Sequence, residues 1–271
     1  MENKEPLPDI MAETDWRGLY IPRVGVEGVV MPIQVLGPPP DMSPRPTVAT
    51  IDAYVNLKAE NRGVNMSRFI GVLQEASGLV SVELMPAILS RLLQVHEAED
   101  AFVRLRFPYF YEQLSPQSRM WQTLTCPTEL EAWTVRGSYE VYVKVTVPYT
   151  SCCPCSKEIS AVGAHNQRSQ AEVKVLCKKG LFVPFEDIIE AVFSCAPSPI
   201  YDYLKRRDEK HVTEQAYDNP KFVEDMARDL ALAFDAKLEE SIAGYFIKVI
   251  HYESIHTHNA VAFTRGGSLI T

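Results

Sequence analysis

The sequence predicts an α+β fold in which antiparallel strands carry helices on one face. Three observations lead there. Residues 138–147 alternate almost strictly, with Val141, Val143, Val145 and Val147 on one side and Glu140, Tyr142, Lys144 and Thr146 on the other, as a half-buried antiparallel strand does. Residues 83–97 set Met85, Ile88, Leu89, Leu92 and His96 on one helical face. The elements of both halves come in one order: strand, strand, helix, helix, strand, strand. That duplication is one of element order only, without identity at a fixed period.

Taken in order, residues 1–22 are polar and Pro-containing, expected as a loosely held arm. Nine of the 19 prolines precede residue 48, so this region is irregular chain between short strands. Residues 24–35 and 47–57 are rich in Val and Ile and bounded by Pro and Gly, which predicts strands. Helices follow over 66–76 and 83–97, the second with Pro86 in its opening turn, where a missing N–H costs least. Residues 101–107 alternate as a strand, with a shorter one over 120–125. In the second half 138–147 pairs with 170–177, 185–195 is a helix, and Asn219 with Pro220 is expected to start another helix, whose apolar face runs from Phe222 to Phe234. Residues 244–252 and 259–264 are the closing strands. The uncovered sheet face and edges need a partner, which points to an oligomer with sites between subunits.

Composition excludes several classes. A net charge of −8 argues against a non-specific nucleic-acid binder. No apolar run reaches the roughly 20 residues that cross a bilayer, and the first residues lack a signal peptide's basic and apolar regions. A cytoplasmic protein without nucleic-acid or membrane partners is expected, with its thiols reduced.

The chemistry gathers in two stretches. From Thr150 to Ser169 the chain reads T-S-C-C-P-C-S-K-E-I-S-A-V-G-A-H-N-Q-R-S, three cysteines and a histidine in an expected loop. From Glu253 to His258 it places an acid and two imidazoles within six residues. Thiolate and imidazole suit zinc and its neighbours. In extended chain, residues two apart share a side, so Cys153 and Cys155 would face one point, as would His256 and His258. The set lacks the two C-x-x-C or H-x-x-x-H pairs that close four ligands around a structural zinc, and its spare acid/base groups suit a catalytic metal with an open position for water.

The runs C153-P-C-S-K-E-I-S, G163-A-H-N-Q-R, V212-T-E-Q-A-Y-D-N-P-K-F-V-E-D-M-A-R-D and E253-S-I-H-T-H, with V24-G-V, P32-I-Q-V, V48-A-T and M66-S-R-F, resemble the GTP cyclohydrolase type IB family over nearly all the chain past residue 22. The resemblance implies a tandem tunnelling fold, with modules here over 23–127 and 128–271, in a homotetramer with active sites at subunit interfaces. It implies conversion of GTP and water to 7,8-dihydroneopterin triphosphate and formate, the first step of tetrahydrofolate biosynthesis, with one divalent metal per site, Zn, Mn or Fe. By position in the family motifs, Cys153, His165 and His256 resemble the metal ligands and Cys155 and His258 the proton-transfer groups. Glu214 resembles the anchor that accepts guanine's N1–H and 2-amino hydrogens. Glu253 is expected to orient a ligand histidine. Lys157 and Arg168 are the triphosphate candidates, ahead of the mixed run Lys205–Lys210, and Cys152 is expected to be packing.

Two positions depart from the family. Pro199, in Cys195-Ala-Pro-Ser-Pro199-Ile-Tyr201, stands where a metal-ligating glutamate is usual, and Asn65 where histidine precedes Met-Ser-Arg-Phe. Three protein ligands and water suffice for catalytic zinc; alternatively Cys195, Ser198 or Asp202 substitutes, or the chain has diverged toward another purine nucleotide. A non-catalytic nucleotide- or metal-binding oligomer is the reading from a different class.

Overall fold

The structure is a computed structural model that describes residues 10–37, 41–76, 78–135, 137–181, 183–238 and 241–268. The chain forms two compact units, one of Met1–Leu36, Pro44–Leu105 and Glu131–Val141, the other of Gly37–Ser43, Arg106–Leu130 and Tyr142–Thr271. Among the described residues there are ten strands and six α-helices.

In the first unit β1 (Ile21–Leu36) and β2 (Pro44–Leu57) form a long antiparallel pair with a bulge between Val26 and Val29. Helix α1 (Met66–Glu75) follows, then the two-residue β3 (Leu79–Val80), which pairs parallel with β1, and helix α2 (Met85–His96). Ile51, Ala53 and Val55 of β2 are buried together with Phe69, Val72 and Leu73 of α1 and Leu89 and Leu92 of α2. Burying such side chains contributes roughly 1.5–3 kcal/mol each, which is why apolar spacing chose the helix faces. Pro86 sits in the first turn of α2 as expected, and Glu97 ends the helix in the left-handed conformation. Of the expected arm, residues 1–9 lie outside the described residues; Ile10–Ala12 form a 3-10 turn, and Thr14 bridges Asn61.

Strand β4 (Ala101–Leu114) begins in the first unit, and β5 (Trp121–Val135) ends in it. Both strands exceed their expected lengths. Pro108 and Pro127 lie inside them, and a residue that cannot donate to the ladder reads as a strand end in sequence. A module division at 127/128 therefore falls within β5.

The second unit holds the remaining elements. They are β6 (Ser138–Cys152, from Tyr142), α3 (Pro154–Ile159), β7 (Asn166–Cys177), α4 (Phe185–Cys195), β8 (Ser198–Pro199), α5 (Arg206–Asp218), α6 (Val223–Leu238), β9 (Ile242–His251) and β10 (Ala260–Gly267). Their strands run in the order β10-β9-β7-β6-β5, antiparallel where β6, β7, β9 and β10 meet, with β8 on β6. Val143, Val145 and Val147 are fully buried, and Ile188, Ile189 and Val192 of α4 and Met226, Leu230 and Phe234 of α6 are buried in the same unit. Helix α6 packs on β9 and β10.

Two further expectations are corrected. The cysteine stretch is not all loop, since Pro154 starts α3. Asn219 does not start α6; it closes α5, and its Nδ2 donates to the Ala196 carbonyl at 3.2 Å, while the Phe222 N–H donates to Asp225 Oδ2 at 3.1 Å to begin α6.

Glycine is required at Gly25, where a methyl group would lie 2.0 Å from the Ala53 carbonyl oxygen of the paired strand. Gly25→Ala is expected to destabilise the protein by about 1–3 kcal/mol by forcing β1 and β2 apart. Urea unfolding checks this, and an unchanged midpoint would contradict it.

Candidate active site

The site grows from the end of the β6–β7 ladder. Register runs from Tyr142 opposite Leu176 to Cys152 opposite Asn166, and the Cys153 N–H extends it by donating to the His165 carbonyl at 3.1 Å. The chain between 154 and 164 thus leaves and returns at one point. Gly163, at φ 75°, makes the return in a conformation open to glycine. Ser156 ties the closure: its Oγ donates to the Cys153 carbonyl at 3.3 Å and accepts the His165 N–H at 3.0 Å.

Cys153 is the N-cap of α3, its Sγ accepting the Ser156 N–H at 3.5 Å. Cys155 lies within α3 and is exposed. Residues two apart on a helix are rotated by about 200°, so the two sulfurs do not share a side as extended chain would have placed them. Cys152 is buried, in agreement with a packing role, and none of the six cysteines forms a disulfide.

The His165 imidazole is oriented from behind. Its Nδ1 lies 2.9 Å from Gln167 Oε1 and 3.7 Å from Glu253 Oε2. Gln167 donates through Nε2 to Ser151 Oγ at 2.9 Å, and Ser151 pairs with Ser169 at 2.8 Å, so Gln167 Oε1 faces the ring as acceptor. Nδ1 therefore carries the hydrogen, and Nε2 keeps its lone pair. A ligand histidine is held in this way.

Glu253 is anchored by its N–H on the His251 carbonyl at 3.0 Å, and its own carbonyl accepts the His256 N–H at 3.3 Å. His256 and His258 are exposed, with ring centroids 5.1 Å apart and planes 16° from parallel. The structure thus links Cys153 to His165, His165 to Glu253, Glu253 to His256, and His256 to His258. Among the described residues no three His, Cys, Asp or Glu side chains are gathered closely enough to hold a metal ion. The thiol and the Nε2 lone pair are nonetheless the donor types that zinc and its neighbours take.

Glu214 lies on α5, exposed, with Lys210 Nζ at 2.6 and 2.7 Å from its two oxygens. Lys157 Nζ reaches the Tyr217 carbonyl at 2.5 Å and sits 4.2 Å from the centre of the Tyr217 ring, tying α3 to α5. Arg168 is exposed on β7 and makes no ion pair among the described residues. Pro199 pairs with Tyr149 across β6 and β8. Of its possible substitutes, Cys195 and Ser198 are buried, Ser198 donating to the Pro199 carbonyl at 3.1 Å, and Asp202 is exposed. Asn65 heads α1 without a side-chain cap.

Sequence reasoning missed the groups that hold α5. Asp208 is fully buried, its Oδ1 accepting the Gln117 and Ser118 N–H groups at 2.8 and 2.7 Å and its Oδ2 the Lys205 N–H at 3.0 Å. Burial pushes its carboxyl up, but the hydrogen bonds from Ser118, Gln117 and Lys205 prevail and hold it well below the usual carboxylate range. The signal was an acid three residues after Lys205, where a helix cap needs one, inside the mixed run Lys205–Lys210.

A family model described as Type I GTP cyclohydrolase folE2 matches residues 7–262. The chain is 41% identical over 264 residues to GTP cyclohydrolase FolE2 of Magnetococcus marinus, covering 97% of both. It is 39% identical over 261 residues to that of Dictyoglomus thermophilum, covering 96% of this chain and 98% of the relative. The chain belongs to the GTP cyclohydrolase FolE2 family. The FolE2 match takes in every candidate residue from Cys153 to His258. The uricase of Arthrobacter globiformis superposes with a TM-score of 0.54 over 96% of each chain at 6% identity, a likeness of fold alone that makes the architecture a tunnelling fold.

Behind the FolE2 candidate site, buried His251 Nε2 is hydrogen-bonded to the Tyr149 hydroxyl at 2.9 Å. Burial pushes the imidazole pKa down to about 4, against a small upward pull from Glu224. The unfolded state, titrating near 6.5, takes up a proton that the folded state refuses. The resulting stability is present above pH 6.5 and is lost as pH falls towards 4, by on the order of 3 kcal/mol. Urea midpoints of wild type and His251→Gln should converge over that interval. Parallel pH dependences would contradict this.

Proposed function

We propose that this chain is a metal-dependent GTP cyclohydrolase of the type IB kind, producing 7,8-dihydroneopterin triphosphate and formate from GTP and water. The observation that carries the reading is the Cys153–His165 closure with Glu253 behind the imidazole, in a chain of the FolE2 family. Cys153 Sγ, His165 Nε2 and His256 would hold one divalent cation, Zn, Mn or Fe, with rotation of the exposed His256 side chain completing the set. The cation, when bound, would supply Lewis acidity that makes water a nucleophile near neutral pH.

The other roles belong to side chains. Glu214 exchanges Lys210 for guanine, accepting N1–H and the 2-amino hydrogen in one bidentate contact that adenine cannot offer. Lys157 and Arg168 face the triphosphate. One water adds at C8 to open the imidazole ring and a second releases C8 as formate; closure of the pterin ring returns one water, leaving a net uptake of one. Each addition and closure moves protons at nitrogen and oxygen, which Cys155 and His258 relay. Glu253 keeps His165 oriented as a ligand. Many of these groups are exposed in the single chain, which supports completion of the pocket by another subunit of a homotetramer. The product places the enzyme at the first step of tetrahydrofolate biosynthesis, in the cytoplasm.

Pro199 favours one second reading, a divergent paralogue acting on another purine nucleotide, because no carboxylate stands at that position. Metal-loaded protein is expected to release formate and a fluorescent oxidised pterin from GTP in preference to GDP or 8-oxo-GTP. Their absence would reject the proposal, and turnover of another nucleotide would establish the second reading. Cys155→Ala and His258→Ala should each lower kcat by about 10²–10⁴-fold. Unchanged function in both variants would indicate a non-catalytic oligomer.

A further inference from the structure

Asn65 and Arg68, singled out by the sequence, are used by none of the roles above. In the first unit the end of β2, the chain after it, the start of α1 and the end of α2 enclose a cavity of 280 Å³. Its lining includes Asn56, Lys58, Arg68, His96 and Glu97, with the further amides of Asn61 and Asn65.

Two buried polar atoms on this lining have no partner among the described residues: Asn56 Nδ2 and His96 Nε2. Asn56 is 3% exposed, and its orientation is determined, because Oδ1 accepts the Glu99 and Asp100 N–H groups at 2.9 and 2.7 Å. The amide nitrogen is the end with hydrogens left to give. His96 packs on Phe69 at 4.0 Å between ring centres, with the planes tilted by 33°, and burial, then nearby Arg68, push its pKa down. A buried polar group left unpaired has lost its water without gaining a partner, a cost that a polar ligand offsets.

Charge decides which ligand. Arg68 spends Nη1 on the Val95 carbonyl at 3.1 Å and meets no carboxylate among the described residues. Lys58 pairs with Glu99 at 3.3 Å, and Glu97 is the one acid on the lining. Donors and cations thus exceed acceptors, in a chain that is otherwise acidic. A guanidinium fork with an amide donor is the set that recognises oxyanions.

We propose that this cavity binds a phosphate-sized oxyanion, free or as the phosphoryl end of a small molecule, through the Arg68 guanidinium and the Asn56 amide. Calorimetric titration of the full-length protein with inorganic phosphate, glycerol phosphate and acetate tests it. At least one of the two phosphoryl probes should bind, and acetate should bind at least about tenfold more weakly. Arg68→Gln, an exposed change, and Asn56→Asp, which keeps both backbone acceptor contacts while removing the donor, should each weaken phosphoryl binding about tenfold or more. Lys157→Ala should leave it unchanged. The proposal is overturned if neither phosphoryl probe binds, if acetate binds as well, if binding survives Arg68→Gln, or if it is lost in Lys157→Ala.

Discussion

The hydrogen bond from the Cys153 N–H to the His165 carbonyl, one step beyond the last β6–β7 pair, is the constraint on which the site depends. Register along β6 and β7 is set by the buried valines, since a slip of one residue would turn Val143, Val145 and Val147 to the other face. That register brings the first and last residues of an irregular segment to one place. A sulfur and an imidazole separated by eleven residues of chain thereby become neighbours. Ser156, Gln167 and Ser151 add no chemistry of their own; they remove the freedom that would let thiol and imidazole drift.

A division of labour follows between buried and exposed polar groups. Two buried groups near the site, Asp208 under α5 and His251 paired with Tyr149, are held by hydrogen bonds and belong to the framework. The exposed ones, Cys155, Arg168, Glu214, His256 and His258, are those that would touch substrate or metal. Side chains that exchange partners, as Glu214 would exchange Lys210 for guanine in the proposed reaction, cannot be locked in a core. A rigid lower layer and a labile upper layer are therefore what the chemistry requires.

Much of the fold was legible in sequence, because period-2 and period-3.6 burial patterns are local. The alternation over 138–147 located β6, and the helix over 185–195 has the boundaries of α4. Legibility failed where one residue carried two meanings. Pro108 and Pro127 signalled strand ends yet lie inside long strands, Pro154 lay in a stretch read as loop yet starts a helix, and Asn219 looked like a start signal yet closes α5. Residue types at the candidate site were visible as an odd density of Cys and His. Their orientation was not, since it depends on Gln167, Ser156 and Glu253, ordinary polar residues that matter only through contacts across the chain.

The most direct test of the account is the ligand shell of a single bound cobalt(II) ion, which reports thiolate coordination by its sulfur-to-metal charge-transfer absorption. One ion per chain should show that absorption, retained in Cys155→Ser and abolished in Cys153→Ser and His165→Gln. Absorption that survives Cys153→Ser but disappears in Cys155→Ser would contradict the site built on the Cys153–His165 closure.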